Sequence, residues 1–220
     1  MKVSLAEHFH SIQGEGYWVG TPMHFIRLAG CSVGKLLSRP HSGIPVLPTG
    51  RPAWQCQSWE NNLFWCDTDF NKHEEVELSS LLDETWESHI CFTGGEPLLH
   101  KPIIEESLPW ATNSKIIHIE TSGTIDYNFP VGSVWVVVSP KAGYSIDAIE
   151  AADELKLLVD PSTKDEFPEE FLDHNSVSLS PINPVEDQIG HESLARALEL
   201  LRTHPNWRLS VQLHKYLGLR

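Results

Sequence analysis

Apolar residues along this chain of 220 residues come in short runs, separated by stretches where they recur three or four positions apart. The runs Met23 to Leu28, His89 to Thr93, Lys115 to Glu120, Val134 to Ser139, Glu154 to Val159, Val177 to Ser180 and Arg208 to Leu213 predict strands. Glu77 to Glu87 and Val185 to Arg202 carry helical spacing, and Lys164 to Leu172 is a shorter helix. Strands alternating with helices predict an α/β fold, a mostly parallel sheet with helices on its outside. In such sheets, polar and glycine-rich chemistry gathers at the carboxyl ends of the strands. Here the strand ends release Gly30-Cys31, Thr93-Gly94-Gly95-Glu96, Glu120-Thr121-Ser122-Gly123, Ser139-Pro140-Lys141 and Ser180-Pro181-Ile182-Asn183. One shared site at one rim is the expectation.

Ser32 to Phe64 breaks the pattern. It holds Pro40, Pro45, Pro48 and Pro52 with Gly34, Gly43 and Gly50, and it shows no period. A loop of this length is functional or disordered more often than it is a domain. Cysteines bracket it, so residues 31–66 read as a cluster-binding loop with an insertion, inside a single domain spanning 1–220.

A formal charge of −14 argues against a surface that tracks phosphates, which draws on clustered Lys and Arg. No nucleic-acid partner is expected. No apolar run is long enough to span a membrane. The first residues lack the apolar stretch of a secretory signal, so the cytosol is the expected compartment. In that reducing setting four cysteines read as metal ligands or buried thiols before disulfides. Cys91, inside Ile90-Cys91-Phe92, reads as a small core residue. Cys31, Cys56 and Cys66 lie in or beside the loop, and thiolates suit both zinc and iron-sulfur clusters. A zinc finger has paired short spacings and four ligands, which this loop does not offer. Spacing by itself leaves the metal open, and Gly-Gly-Glu-Pro by itself also reads as a strand-to-helix turn.

Together the motifs are narrower. Three thiolates leave one iron of a 4Fe-4S cube without a protein ligand, and a glycine pair followed by Glu-Pro resembles the segment that holds the methionyl end of S-adenosylmethionine. The set Ser11-Ile12-Gln13-Gly14-Glu15-Gly16, Phe25-Ile26-Arg27-Leu28-Ala29-Gly30-Cys31, Cys66-Asp67-Thr68, Thr93-Gly94-Gly95-Glu96-Pro97, Glu120-Thr121-Ser122-Gly123, Ser139-Pro140-Lys141 and Gln212-Leu213-His214-Lys215-Tyr216-Leu217 resembles 7-carboxy-7-deazaguanine synthase, a radical S-adenosylmethionine family of the queuosine and 7-deazapurine route. The resemblance runs in order from about residue 10 to the C-terminus. It implies a trimmed parallel β/α barrel and a carbon-nitrogen lyase that contracts the ring of 6-carboxy-5,6,7,8-tetrahydropterin to 7-carboxy-7-deazaguanine, with loss of ammonia. It also implies a [4Fe-4S] cluster, S-adenosylmethionine, magnesium, a homodimer and an electron donor such as flavodoxin. The cluster loop departs from the common Cys-x3-Cys-x2-Cys spacing, and the family is known for insertions there. With Cys91 set aside in its strand, Cys56 takes the third position beside Cys31 and Cys66.

Residue roles follow from the resemblance. Arg27 would pair with the substrate carboxylate, since a guanidinium fork matches that anion. Ile12, Gln13 and Gly14 would meet the pterin edge, Thr93 would touch substrate, and Glu120 would accept from the guanidine-like pyrimidine edge. His214 and the terminal carboxylate of Arg220 complete the substrate set. Cofactor contacts fall on Trp65, Cys66, Asp67, Gly95, Glu96, Ser139, Pro140, Lys141, Ser180, Pro181, Ile182 and Asn183. Thr68 would ligate magnesium, which takes hard oxygens and keeps several waters. Two other readings stand beside this one. A radical S-adenosylmethionine activase shares the cluster and glycine motifs but lacks the N- and C-terminal ones. A zinc-binding module would join the loop cysteines to a histidine such as His41 or His73.

Overall fold

The computed structural model of the chain describes residues 1–34, 44–47, 49–71, 73–111, 115–130, 132–183 and 190–219. In chain order they form β1 (Lys2–Ile12), β2 (Pro22–Leu28), β3 (Trp54–Gln57), β4 (Leu63–Cys66), β5 (Glu74–Glu77), α1 (Leu78–Asp83) and β6 (His89–Gly94). There follow α2 (Lys101–Ser107), β7 (Ile116–Thr121), β8 (Val134–Val138), α3 (Ile146–Glu150) and β9 (Glu154–Val159). The chain ends with α4 (Glu169–Leu172), β10 (Val177–Pro181), α5 (His191–Thr203), β11 (Arg208–Leu209) and α6 (Leu213–Leu217).

One sheet runs β11-β10-β9-β8-β7-β6-β2-β1-β5, and β3 with β4 makes a separate hairpin. Pairing is parallel from β2 to β11, while β1 joins β2 and β5 antiparallel. Among the described residues the sheet ends at β5 and β11 without the two pairing, so it is not a closed barrel. Alternation along its strands separates two faces. Ile26, Leu28, Ile90, Phe92, Ile117, Ile119, Val136 and Val138 turn outward and are buried under helix residues such as Leu81, Ile104, Ile149, Phe171 and Leu200. Inward, Met23, Phe25 and Cys91 pack with Phe9 and Trp18. The α5 residues Ser193, Ala197 and Leu200, spaced four and three apart, form the stripe that seats this helix.

The seven predicted strands are present, the last cut to Arg208–Leu209 before α6 begins. Four elements differ from expectation. The aperiodic loop holds the β3–β4 hairpin, turned at Asn61, whose φ of 67° suits asparagine. Glu77 closes β5, and the predicted helix starts only at Leu78. Lys164 to Leu172 is helical from Glu169 alone. The helix expected from Val185 is seen from His191, and residues 184–189 lie outside the described set. The strands β1 and β5 and helices α2, α3 and α6 were not predicted at all. In β1, Glu7, His8 and His10 interrupt the apolar pattern, because this strand sits near the sheet's antiparallel end rather than in its buried middle.

The ends of β2 and β6 approach so closely that only glycine fits between them. A Cβ on Gly94 would lie 2.3 Å from the Leu28 carbonyl oxygen, and one on Gly95 would lie 2.1 Å from that of Gly30. Gly95→Ala is expected to destabilise the fold by about 2–4 kcal/mol, the range of severe steric defects. Gly132→Ala, with open space around it, should cost only the roughly 1–2 kcal/mol of a left-handed alanine. Urea unfolding of the two variants checks the order, and equal losses would refute the close-packing argument.

Candidate active site

At the carboxyl ends of the parallel strands lies a cavity of about 470 Å³. Its inner wall continues the inward-facing rows: Phe25 and Arg27 from β2, Thr93 from β6, Glu120 from β7, Val137 from β8, and Lys156 and Leu158 from β9. Cys31, Cys56 and Cys66 line the same cavity. The hairpin is what joins the last two, since Trp54 pairs with Cys66 and Cys56 with Phe64. Cys56 lends its S–H to Cys66, which raises its own pKa and lowers that of Cys66. Burial pushes the Cys31 thiol up, and the Gly34 amide donates to its Sγ at 3.3 Å. Cys91 is fully buried between Met23 and Phe25 and is absent from the cavity wall.

Glu96 fixes the glycine turn. It is fully buried, and its carboxylate accepts from the Leu98 amide at 3.1 Å, from Thr121 Oγ1 at 2.7 Å, and from both the amide (2.9 Å) and the hydroxyl of Ser122. These bonds tie the end of β6 to the end of β7. Lys141 reaches Ser139 through its carbonyl and hydroxyl oxygens, 2.8 Å each, and lies 5.8 Å from the Phe64 ring centre. Burial first, and then the charge of Lys156, lower Lys141 to about 8.

Glu120 accepts from Gln13 Nε2 at 3.0 Å and Thr93 Oγ1 at 3.3 Å, with Lys156 Nζ at 3.9 Å. Burial opposes its charge, but Lys156, Gln13, Arg27 and Thr93 together hold its carboxyl below the usual range. Lys156 also pairs with Glu15. Arg27 donates to Glu7 at 3.0 Å and to Thr68 Oγ1 at 3.2 Å. The C-terminal segment completes the cavity. The Leu213 amide donates to the Gly14 carbonyl at 2.9 Å, and Lys215 pairs with Asp67 at 2.7 Å. A Cβ on Gly14 would fall 2.1 Å from His214 Nδ1, so glycine makes room for this closure.

Of the predicted substrate residues, Ile12, Gln13, Gly14, Arg27, Thr93, Glu120 and His214 line the cavity, and Arg220 lies outside the described residues. The predicted metal ligands Cys31, Cys56, Cys66 and Thr68 line it too, as do Asp67, Gly95, Ser139 and Lys141. Trp65, Glu96, Pro140, Ser180, Pro181, Ile182 and Asn183 do not. Asn183 instead links the end of β10 to Gln212 at 2.9 Å and to the Gly190 amide at 2.9 Å. Sequence reasoning missed Glu7, Glu15, Lys156 and Lys215. A signal existed for Lys156, a cation inside the otherwise apolar run Leu155 to Val159. Glu15 and Lys215 sat unassigned inside quoted motifs, and Glu7 lay in the unpredicted β1.

Among the described residues, no three Cys, His, Asp or Glu side chains converge on the position of a single ion. A four-iron cube asks for something different, three thiols set around a body larger than one ion, with each sulfur on its own iron. The three thiols on one cavity, with a backbone donor to Cys31, fit that demand.

No family model matches the chain, but relatives of full length do. It is 32% identical to the 7-carboxy-7-deazaguanine synthase of Bradyrhizobium diazoefficiens and 31% identical to that of Bordetella pertussis, over 100% of both chains in each case. The synthase of Escherichia coli K12 matches at 31%, again over the whole of both chains. A crystal structure of QueE from Escherichia coli superposes with a TM-score of 0.60 at 25% identity, covering 97% of this chain and 95% of that one. The open sheet is thus the trimmed β/α barrel of the radical S-adenosylmethionine type. The chain belongs to the 7-carboxy-7-deazaguanine synthase family.

Because each oxygen of Glu96 meets a backbone amide, an amide in its place would aim an N–H at either the Leu98 or the Ser122 amide. Glu96→Gln should therefore cost about 2–4 kcal/mol in a urea titration, the scale of a broken buried charge network. A loss under about 0.5 kcal/mol would show that the brace carries little.

Proposed function

We propose that the chain is a radical S-adenosylmethionine enzyme converting 6-carboxy-5,6,7,8-tetrahydropterin to 7-carboxy-7-deazaguanine and ammonia, within 7-deazapurine and queuosine biosynthesis. The observation that carries this reading is the arrival of Cys31, Cys56 and Cys66 at the same cavity as Gln13, Arg27 and Glu120. In this reading residues 1–220 act as one domain with an insertion at 31–66. The cytosol, a homodimer and a donor such as flavodoxin come with the resemblance. Among the described residues no helix is long and apolar enough to cross a membrane.

Cys31, Cys56 and Cys66 would hold the [4Fe-4S] cluster. Asp67, Gly95, Ser139 and Lys141 would meet S-adenosylmethionine, while Trp65, Glu96, Pro140 and the stretch Ser180 to Asn183, expected as further contacts, lie off the cavity wall. When bound, these groups supply the one-electron chemistry that removes a hydrogen atom from the substrate. The protein's work is orientation. Glu120, kept ionised, accepts from the amino and ring N–H of the pyrimidinone, and Gln13 and Thr93 fix its two oxygens. Arg27 meets the substrate carboxylate with one face of its fork while Glu7 holds the other. Thr68, already on Arg27, adds a hydroxyl oxygen for magnesium beside that carboxylate. Residues 213–219 and the Lys215–Asp67 pair reduce access of water to the cavity.

Anaerobic reconstitution followed by turnover of the carboxytetrahydropterin should yield a product with the mass of 7-carboxy-7-deazaguanine. Normal iron loading without product would overturn the assignment. Alanine at Cys31, Cys56 or Cys66 should abolish iron binding, and alanine at Cys91 should leave it intact. Full iron in the Cys56 variant would sink the ligand assignment.

Arg27→Ala tests the substrate end. Losing one partner of a desolvated charge pair costs on the order of 2–5 kcal/mol, so pterin affinity should fall at least about 30-fold. Affinity for S-adenosylmethionine should barely move. Unaltered pterin binding would mean that the carboxylate is read by another residue.

A further inference from the structure

The inner wall of the cavity holds more carboxylates than the reaction as described employs. Glu15, Glu120 and Glu154 surround one cation, Lys156, whose side chain is 11% exposed. Glu154 is already committed. It accepts from the Tyr17 amide at 3.0 and 3.1 Å and from Ser178 Oγ at 3.1 Å, anchoring the turn after Glu15. Lys156 therefore stands between the other two, in contact with Glu15 and 3.9 Å from Glu120.

We propose that Lys156 is a specificity-determining residue: held by Glu15, it sets a donor beside the two acceptor oxygens of Glu120, and this acceptor–acceptor–donor row reads the 2-amino-4-oxo edge of the substrate ring. The inference rests on the pterin reading above. An ammonium has three N–H donors, and a carboxylate has about four lone-pair sites. Gln13 and Thr93 take one site on each oxygen of Glu120 and leave the others for a ligand. The amino group and ring N–H of a 2-amino-4-oxo pyrimidine are two adjacent donors, and the ring carbonyl beside them is an acceptor. Glu120 matches the donors, and the remaining N–H of Lys156 matches the carbonyl. A 2-oxo ring would set an oxygen against the Glu120 carboxylate, acceptor against acceptor, at a site largely removed from water. Sites built around such a hydrogen bond reject analogues lacking the group by roughly 10⁴-fold.

Discrimination of this kind needs Glu120 ionised, because a protonated carboxyl would donate to the 2-oxo group. The groups facing Glu120 are Lys156 from β9, Arg27 from β2, Cys91 from β6, Glu15 from the turn after β1, and His118 on β7 itself. Burial holds His118 neutral, at about 3, and leaves the Cys91 thiol protonated. Lys156 is the first of the groups that favour the Glu120 charge, and its own pKa is raised by Glu120 and Glu15 against the effect of burial. Removing it raises the Glu120 pKa. The acid limb of kcat/KM, which reports the free enzyme, must then move to higher pH.

The test compares 6-carboxytetrahydropterin with its 2-oxo counterpart, 6-carboxytetrahydrolumazine, across a pH series. Lys156→Met should lose at least about 30-fold in kcat/KM for the pterin, chiefly through KM. Its preference for the amino compound should narrow at least about tenfold, and its acid limb should rise by about one pH unit or more. Lys156→Arg should regain most of the preference. Iron content and affinity for S-adenosylmethionine should match the unaltered enzyme throughout. If Lys156→Met fails to fold, Glu15→Gln carries the test: it removes a like charge and a competitor for the lysine, so the acid limb should move down while the amino preference stays. An acid limb that rises in Glu15→Gln, or an unchanged preference and limb in Lys156→Met, would overturn the proposal. An unaltered enzyme that does not turn over the pterin at all would instead overturn the functional reading beneath it.

Discussion

A buried carboxylate holds the ends of β6 and β7 together, and the cavity depends on where those ends sit. Glu96 is removed from water and surrounded by donors from Leu98, Thr121 and Ser122. Taking a carboxylate out of water costs several kcal/mol. Hydrogen bonds to a charged acceptor return about 1.5–3 kcal/mol each, so the four together offset that cost and each one lost erodes the margin. The geometry is therefore demanding. The turn after Gly95 must present the Leu98 amide while the end of β7 presents both groups of Ser122. Gly94 and Gly95 meet the same demand from the other side, pressing against the end of β2. Three strand ends are thus fixed relative to one another, and these three carry Arg27, Thr93 and Glu120.

The inner face shows how a chain of net charge −14 builds a site that is not simply acidic. Toward the amino ends of β2 and β6, the inward Met23, Phe25 and Cys91 pack with Phe9 and Trp18. Toward the carboxyl ends the same rows become Arg27, Thr93, Glu120 and Lys156. Each inward carboxylate has a cation or a set of donors within reach, as Glu7 has Arg27 and Glu15 has Lys156. Net charge describes the solvent-facing surface. The chemistry belongs to pairs that composition does not register.

This explains which parts were legible in the sequence. Strands in the buried middle of a parallel sheet read as continuous apolar runs, as in Val134 to Val138, and all of those were visible. Strand β1 was not, since its outward His8 and His10 and inward Glu7 give no apolar run. The hairpin was hidden for another reason. Its strands are four residues long, and their stability comes from docking, with the Ala142 amide donating to the Gln57 carbonyl and Asn62 to Asp160. No local period encodes contacts that far apart. Motif residues with chemistry of their own, such as Cys66, Arg27 and Gln13, were readable singly. Lys156 stood out only as a charge in an apolar run, because its role arises when β9 sets it between a residue from β7 and one from the turn after β1. The glycines were read for closeness to a ligand, whereas Gly14, Gly94 and Gly95 each make room for another part of the protein.

An open barrel must close its gap with something other than a strand. Here β11 is two residues long, and the segment after it bends back across the cavity mouth. The closure rests on a few bonds between residues remote in sequence, from Leu213 to Gly14 and from Lys215 to Asp67. Helix α6 has five residues and no buried side chain. By contrast, α5 is seated in the main core through Ala197 and Leu200. Segments with few buried apolar contacts open at a small fraction of the global unfolding free energy. Residues 213–219 are thus held more weakly than α5, while the braced strand ends keep Arg27, Thr93 and Glu120 in register. Rigidity at the rim and lability at the chain end are two consequences of the same topology, in which the sheet stops before it meets itself.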